Sequence, residues 1–359
     1  MVVIVKPTFS CNACCDYCEV YKLGDLFKPM RKEIYELLVN KITKFLKKNK
    51  KPHNQSVGYY WLGGEPLAVG DEFYAFVKEV TDKSDIKSTH FIQSNLTLLA
   101  KKEFSHLKAL LKKYKKGGGG EYFFSTSVDP VSDARKLKNG KNYNKSFIQA
   151  LKVLKRDRAK YSAVYTVHKG SIGKEKQIYY YFKNLGFVAF NINAICDYAT
   201  GFKDKSSISM TPMEYGEFLC RMWDIWIEDN CSVNIIPFDG WKHLKEKKSQ
   251  SKLRCFNDGK CNRDLCAISP NGDVFTCDRA MQAKQNPLGN IYKNEFEEMF
   301  SKKYHDKRIK YLKENDCKDC KWWNFCKGSC PYESKGEYEG KFTKSYWCES
   351  YKMLFNYIH

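Results

Sequence analysis

Short apolar runs alternate with amphipathic segments along the first two hundred residues. The strand-like runs are rich in β-branched and aromatic residues: "VVIVK", "VGYYWL", "THFIQS", "EYFFSTSV", "YSAVYTVH" and "FVAFNINAI". Helical spacing of apolar residues predicts helices at 30–48, 71–82, 101–115, 145–157 and 174–185. This alternation predicts an α/β fold of parallel strands with crossover helices. Periodicity alone leaves a partial barrel and a doubly wound sheet both open.

Glycine and polar residues follow the ends of several predicted strands. "LGGEP" (62–66) comes after the second strand and "QSN" (93–95) after the third. "STSVD" (125–129) ends the fourth strand, and the sixth carries "NIN" (191–193). Ligand sites of parallel α/β folds lie at the carboxyl ends of the strands. The placement of these four segments therefore predicts a site assembled from loops.

The chain is rich in cysteine: sixteen of its 359 residues are Cys. The apolar start "MVVIVKPTFS" is too short for a signal-peptide core, and no stretch approaches a membrane span. We therefore predict a soluble cytoplasmic protein without a membrane partner. Cytosolic thiols stay reduced, so this cysteine count favours metal sites over disulfides.

The chain is basic, with 62 Lys and Arg against 41 Asp and Glu and a formal net charge of +21. Its lysines are spread thinly, as in "KFLKKNKKPH", which is typical of solvated helix faces. We predict no nucleic-acid partner; an acidic peptide suits the residual positive field.

The first cysteine cluster, "CNACCDYC", spans residues 11 to 18. Cys11, Cys15 and Cys18 have the spacing C-x3-C-x2-C, with Tyr17 before the last. Four thiolates close a [4Fe–4S] cube for electron transfer, whereas three leave one iron open to a substrate. This motif resembles that of radical S-adenosylmethionine (SAM) enzymes, in which SAM chelates the open iron. The resemblance implies a partial (β/α)6 TIM-like barrel, reductive cleavage of SAM to a 5′-deoxyadenosyl radical, and a bystander role for Cys14.

Further segments match the same family. "GGEP" resembles the segment whose backbone binds the SAM amino group, "QSNLTLL" resembles "TNGTLL", and "SVDP" resembles "SLDG" near the SAM ribose and carboxylate. Leu96 and Pro130 replace the glycines usual in the last two. The SAM-binding residues that the resemblance implies are Tyr17, Gly63, Gly64, Glu65, Pro66, Asn95, Ser127, Asp129 and Asn193.

Nine of the cysteines lie in the last 105 residues. The C-x2-C and C-x3-C pairs alone leave open a zinc ribbon that binds nucleic acid. The spacing of all these cysteines resembles that of the SPASM domain, which implies two auxiliary [4Fe–4S] clusters. Together with the SAM-binding cluster, the chain would hold three clusters. One auxiliary set is Cys255, Cys261, Cys277 and Cys330, and the other is Cys317, Cys320, Cys326 and Cys348. Cys266 competes with Cys255 or Cys261, so an open iron in the first auxiliary set is not settled by the spacing.

We expect two domains. The radical SAM barrel occupies residues 1–240 and includes a bridging helix at 211–229, in which Thr211 is the N-cap and Pro212 the first helical residue. The SPASM domain occupies residues 241–359. Asp278 follows Cys277, at the position where the sulfatase-maturing members have an Asp that is their candidate general base. The resemblance therefore implies that Asp278 is a general base, and the alternative is a structural role beside the cluster.

The resemblance implies hydrogen abstraction from a residue of a ribosomally made precursor peptide. The run "CEVYKLGD" resembles that of enzymes that crosslink aromatic side chains to neighbouring residues in ribosomal peptides, and this resemblance implies a cyclophane-type side-chain crosslink. The alternatives are an anaerobic sulfatase-maturing enzyme, which converts Cys or Ser to formylglycine, and thioether formation or epimerisation. A multi-cluster electron carrier is the non-enzyme alternative. We expect an external reductant such as flavodoxin or ferredoxin. Because the cysteine motif begins at residue 11, we expect a leader peptide to be bound either by the surfaces of the barrel and SPASM domains or by a separate protein.

Overall fold

The computed structural model describes most of the chain. The described residues are 1–18, 20, 28–49, 56–101, 103–113, 122–156, 159–195, 208–246, 265–283, 285–300, 304–334 and 340–359. The predicted ligands Cys255 and Cys261 lie outside these ranges, as does most of the "CEVYKLGD" run.

The strands lie where the apolar runs predict them. They are β1 (Val2–Val5), β2 (Ser56–Trp61), β3 (Lys87–Ser94), β4 (Tyr122–Ser127), β5 (Tyr161–Val167), β6 (Ala189–Ala194), β7 (Asn234–Ile236), β8 (Leu265–Ile268), β9 (Asp273–Phe275) and β10 (Gly289–Asn290). The first six confirm the six predicted strands.

Helices separate these strands. They are α1 (Lys32–Lys48), α2 (Asp71–Asp82), α3 (Ser105–Lys113), α4 (Tyr143–Arg156), α5 (Glu175–Asn184), α6 (Pro212–Glu228), α7 (Phe238–Lys245), α8 (Asp278–Gln282), α9 (Phe296–Phe300), α10 (Tyr304–Glu314), α11 (Trp323–Cys326) and α12 (Cys348–Ile358). The predicted helices are confirmed, although α3 begins four residues later than its pattern indicates. Thr211 caps α6 through a capping box with Glu214, as its sequence predicts.

The chain divides into two compact units. The first comprises Met1–Val128, Arg135–Tyr161 and Asp264–Lys302. Its strands follow the order β10-β9-β8-β1-β2-β3-β4. Strands β8, β1, β2, β3 and β4 are parallel, whereas β8, β9 and β10 pair antiparallel. The parallel pairing of β8 with β1 places a C-terminal segment against the strand that leads into the first cysteine loop.

The core of the first unit lies between its sheet and helices α1 and α2. Alternate residues of β2, Val57, Tyr59 and Trp61, are buried. Tyr35 of α1 and Tyr74 of α2 lie against Trp61, with ring centroids 5.2 and 5.4 Å away. This two-residue alternation fixes which face of β2 meets the helices.

The second unit comprises Asp129–Ala134, Ser162–Arg263 and Lys303–His359. Strands β5, β6 and β7 are parallel, and α12 packs along α6. The domain boundary expected near residue 240 stays a prediction. Within the described residues, no helix has the length and apolar composition needed to cross a membrane.

Candidate functional site

The first cysteine loop follows β1 directly and is held by a distant segment of the first unit. Ala13 pairs antiparallel with Leu137. The backbone N–H of Cys14 donates to the carbonyl of Lys136 at 2.8 Å. These contacts hold the loop that carries Cys11, Cys15 and Cys18 against residues 136 and 137.

The three predicted ligands of this loop are close enough to interact electrostatically. Burial raises the pKa of Cys11 to about 12; the Glu65 carboxylate and the other two thiols also raise it. Burial raises the pKa of Cys15 too, although Arg135 opposes the shift. Burial therefore disfavours the thiolate forms of Cys11 and Cys15, and a bound cation would offset this cost because it deprotonates a coordinating thiol. These residues fit an iron–sulfur cluster.

The GGEP segment lies against the entry to the cysteine loop. Gly64 N–H donates to Thr8 O at 3.0 Å, and Glu65 N–H to Ser10 O at 2.9 Å. A Cβ on Gly63 would lie 2.3 Å from the Thr8 carbonyl oxygen, and one on Gly64 would lie 2.2 Å from that of Phe9. Glycine is required at both positions because no side chain fits between the two backbones.

The Glu65 side chain joins two of the predicted site segments. It is fully buried. Its Oε1 accepts from Leu67 N–H at 3.0 Å and from the Ser94 hydroxyl at 2.7 Å, and its Oε2 accepts from Asn95 N–H at 2.8 Å. Burial raises its pKa to about 7 against the opposing effect of these bonds. Glu65 therefore holds the end of β3 against the GGEP segment; its neighbour Pro66 is buried and opens a 3₁₀ turn.

Asn95 connects that edge to the cysteines. Its Nδ2 donates to Asn12 Oδ1 at 2.8 Å and lies 3.9 Å from Cys11 Sγ. Leu96, which replaces the usual glycine, has φ = +63° and a buried side chain. The backbone keeps the left-handed conformation that glycine favours, so this substitution leaves the course of the loop unchanged.

The two predicted SAM-binding residues of "STSVD", Ser127 and Asp129, belong to different units. Ser127 Oγ accepts from Gln93 Nε2 at 2.9 Å, and its carbonyl accepts from the Tyr143 hydroxyl at 2.7 Å. Asp129 is buried in the second unit, where its carboxylate accepts from Val131 N–H, the Ser132 hydroxyl and His168 Nε2. Burial raises its pKa, but these bonds outweigh it and lower the pKa overall. Asp129 thus holds its own loop.

Asn193 lies near the carboxyl end of β6, in register with Thr166 of β5. It is half-buried. Its contact with SAM stays a prediction.

Arg135 is a site residue that the sequence analysis missed. Its guanidinium carbon lies 5.4 Å from the ring centroid of Tyr17 and 5.7 Å from that of Tyr143. Its Nη1 lies 4.0 Å from Cys15 Sγ. Its Nε is buried and has no hydrogen-bond partner among the described residues. A buried cationic donor beside a thiol suits an anionic group, which further supports the fit of a cluster and SAM.

The second cysteine region builds a cavity within the second unit. The cavity holds about 350 Å³ of space, part of it open to solvent. Cys317, Cys320, Cys326 and Cys348, the four members of one predicted auxiliary set, all line it with Trp322, Trp323 and Phe355. No group of three His, Cys, Asp or Glu side chains in the described residues is arranged around a single metal ion.

The other auxiliary set is described only in part. Cys277 is buried in the first unit and Cys330 in the second. Cys266 is fully buried in β8, paired with Val3 of β1, and burial raises its pKa to about 12. Its position within a paired strand is that of a core residue, and its competition with Cys255 or Cys261 stays a prediction because both lie outside the described residues.

Asp278 is the first residue of α8, directly after the N-cap residue Cys277. Its side chain is 27% exposed, and its Oδ2 lies 4.0 Å from the Nζ of Lys6. The carboxylate is thus accessible to a partner, as a proton acceptor requires.

Comparison with known proteins identifies the family. The Radical SAM superfamily profile matches residues 5–178, and that of the SPASM iron–sulfur cluster-binding domain matches residues 255–321. The cysteine-type anaerobic sulfatase-maturating enzyme of Clostridium perfringens (strain 13 / Type A) is 26% identical, over 99% of this chain and 95% of that protein. The serine-type enzyme of Bacteroides thetaiotaomicron is 25% identical, over 100% and 89%.

A solved structure agrees with these relatives. Native anSMEcpe with bound AdoMet and the Cp18Cys peptide superposes with a TM-score of 0.83 at 25% identity, covering 99% of this chain and 96% of that one. The predicted fold class, an α/β radical SAM domain followed by a SPASM domain, is confirmed. The chain is a radical SAM enzyme with a SPASM domain, and its relatives modify proteins.

Proposed function

We propose that this protein oxidises a Cys or Ser side chain of a protein substrate to formylglycine, as an anaerobic sulfatase-maturating enzyme. The observation that carries the proposal is full-length similarity to both the cysteine-type and the serine-type enzymes. The similar solved structure with a bound peptide supports a peptide or protein substrate. These relatives favour the alternative named from sequence over the cyclophane crosslink.

The first unit supplies the residues that would hold the cofactors. Cys11, Cys15 and Cys18 would ligate a [4Fe–4S] cluster, and the backbone at Gly63 and Gly64 would receive SAM with Asn95, Ser127 and Arg135. When bound, the clusters and SAM supply hydrogen-atom abstraction and accept the electron that the substrate loses. Glu65 keeps two of the loops together, and Arg135 offsets negative charge beside Cys15.

The second unit would hold an auxiliary cluster in the cavity lined by Cys317, Cys320, Cys326 and Cys348. Four thiolates close such a cube, which suits electron transfer. Sequence spacing adds the set of Cys255, Cys261, Cys277 and Cys330, so we propose three clusters per chain. A low-potential carrier such as flavodoxin or ferredoxin would supply electrons.

Asp278 is the proposed proton acceptor. Oxidation of a Cys side chain removes one hydrogen atom, one electron and one proton, and leaves a thioaldehyde that water converts to the aldehyde and hydrogen sulfide. The hydrogen atom and the electron leave through the cofactors, so the chain itself must take the proton. Asp278 offers a partly exposed carboxylate beside a predicted cluster ligand.

A matched pair of synthetic sulfatase-type peptides tests the proposal. They differ only in having Cys or Ser at the position to be modified, and each is incubated anaerobically with the iron-loaded protein, SAM and dithionite. We expect an aldehyde at that position in at least one peptide, trapped by a hydrazine probe, with one 5′-deoxyadenosine per aldehyde. Deoxyadenosine formation without aldehyde in either peptide would overturn the proposal. Loss of two hydrogens without aldehyde would support the crosslink instead.

A further inference from the structure

Lys6 is a buried lysine at the end of β1. Its side chain is 1% exposed. Its backbone N–H donates to Ile268 O at 3.0 Å and so extends the pairing of β1 with β8 by one residue. Because side chains alternate along a strand, Lys6 lies on the face opposite the buried Val3 and Val5. Sheet pairing therefore fixes the point from which the lysine side chain starts.

Burial of the Lys6 ammonium costs free energy unless a nearby opposite charge offsets it. Burying a charged amine carries a large desolvation penalty unless an opposite charge faces it. The ammonium lies 4.0 Å from Asp278 Oδ2 and 5.7 Å from the ring centroid of Phe9. Exposed ion pairs contribute little to stability, whereas removing one partner of a buried pair leaves an uncompensated charge and is strongly destabilising. In the Lys6–Asp278 pair the lysine side chain is 1% exposed and the aspartate side chain 27% exposed, so the lysine end of the pair is buried.

The contacts of Asp278 give its carboxylate a direction. Gln282 Nε2 donates to Oδ2 at 3.4 Å from the next turn of α8, and Lys6 faces the same oxygen. Both of these contacts fall on Oδ2, so within the described residues Oδ1 is the oxygen left available to a substrate. The 27% exposure of the side chain is compatible with such an approach.

We propose that Lys6 is a positioning residue for substrate deprotonation. Its ammonium holds Oδ2 of Asp278 and so directs Oδ1 at the proton that the substrate must lose. This inference rests on the proposed role of Asp278. It gives the lysine before the first cysteine loop a function in a step separate from SAM cleavage.

Lys6→Met tests the proposal, because methionine keeps an unbranched side chain and removes the charge. We expect unchanged iron content and unchanged 5′-deoxyadenosine formation with the Cys and Ser peptides. The aldehyde formed per deoxyadenosine should fall about 10–100-fold, since a misplaced catalytic group costs this much. Lys6→Arg should restore most of the ratio because it keeps the charge.

Lys41→Met is the matched control. Lys41 is also a largely buried lysine of the first unit, and its carboxylate partner is Glu295, at 3.2 Å. Its substitution should leave the aldehyde-to-deoxyadenosine ratio unchanged. An unchanged ratio in Lys6→Met, or failure of Lys6→Arg to restore it, would overturn the inference. Loss of iron from both Lys6→Met and Lys6→Gln would also overturn it, because the role of Lys6 would then be structural.

The double variant Lys6→Met with Asp278→Asn separates the two hypotheses. If Lys6 acts through Asp278, the double variant is no more impaired than Asp278→Asn alone. If Asp278→Asn keeps full coupling, the proposed role of Asp278 fails. If Asp278→Asn uncouples but Lys6→Met does not, only the present inference fails.

Discussion

The two cysteine-rich regions differ in how far along the chain their contacts reach. The loop of Cys11–Cys18 has a turn of its own, from Cys18 N–H to Cys15 O, but it is also held by distant segments: Asn95 Nδ2 donates to Asn12 Oδ1, and Cys14 N–H donates to Lys136 O. The region of Cys317–Cys326 is held by its own turns and by the nearer helix α12, where Asn356 Oδ1 accepts from Trp322 Nε1. There, Cys320 N–H donates to Cys317 O, and Trp323 N–H to Cys320 O.

This contrast agrees with the chemistry proposed for each region. The first region needs three thiols together with donors for an additional ligand, and strand ends bring such groups together from several loops. The second needs four thiols around a closed cluster, which local turns and a packed aromatic surround provide. We therefore propose that the first region would hold the SAM-binding cluster and the second a cluster for electron transfer.

The largest expected effect separates the two regions by cysteine replacement. Changing Cys11, Cys15 and Cys18 together to Ala should abolish SAM cleavage and lower iron from about twelve to about eight per chain, since one four-iron cluster is lost. Iron analysis and chromatography of deoxyadenosine measure both. Cys14→Ala is the control and should retain cleavage; if it abolishes cleavage, Cys14 is a ligand and the C-x3-C-x2-C assignment is wrong.

Asp278→Asn should separate SAM cleavage from product formation. Asn keeps the shape of the side chain but cannot accept the proton, and loss of a general base costs roughly 10²–10⁴-fold. We expect normal iron, normal deoxyadenosine and little aldehyde by mass spectrometry. Loss of iron would instead show that Asp278 stabilises the turn after Cys277.

A smaller effect is expected from Glu65→Gln in the first region. The amide cannot accept at both oxygen positions, so at least one buried donor among Leu67, Ser94 and Asn95 loses its partner at a cost of about 1–3 kcal/mol. The anaerobic denaturation midpoint should fall. Glu79→Gln, an exposed change in the same unit, is the control; equal midpoints for both variants would mean that Glu65 does not hold the two segments together.

The smallest effect is expected at Cys266. Cys266→Ala should leave iron content unchanged, because the thiol lies in the core of β8. Cys277→Ala should release the iron of one auxiliary cluster. Equal iron losses in the two variants would instead indicate that Cys266 is a cluster ligand.

The strands could be predicted from local sequence, because the apolar residues that each strand buries lie within that strand. The Thr211 cap of α6 follows from neighbouring residues and is equally local. The pairing of β8 with β1 is different, since it joins segments about 260 residues apart and no periodicity encodes the partner. Arg135 was not predicted as a site residue for a related reason. The chain has 62 Lys and Arg residues, and only the tertiary contacts of Arg135 with Tyr17 and Cys15 distinguish it from the others.

One measurement tests the central claim that only the first cysteine region presents an open iron to SAM. A variant with Cys317, Cys320, Cys326 and Cys277 changed to Ala is loaded with iron, reduced, and examined by electron paramagnetic resonance with and without SAM. The account predicts one remaining cluster whose signal changes when SAM is added, with deoxyadenosine still formed. A signal that SAM leaves unchanged, without deoxyadenosine, would contradict it.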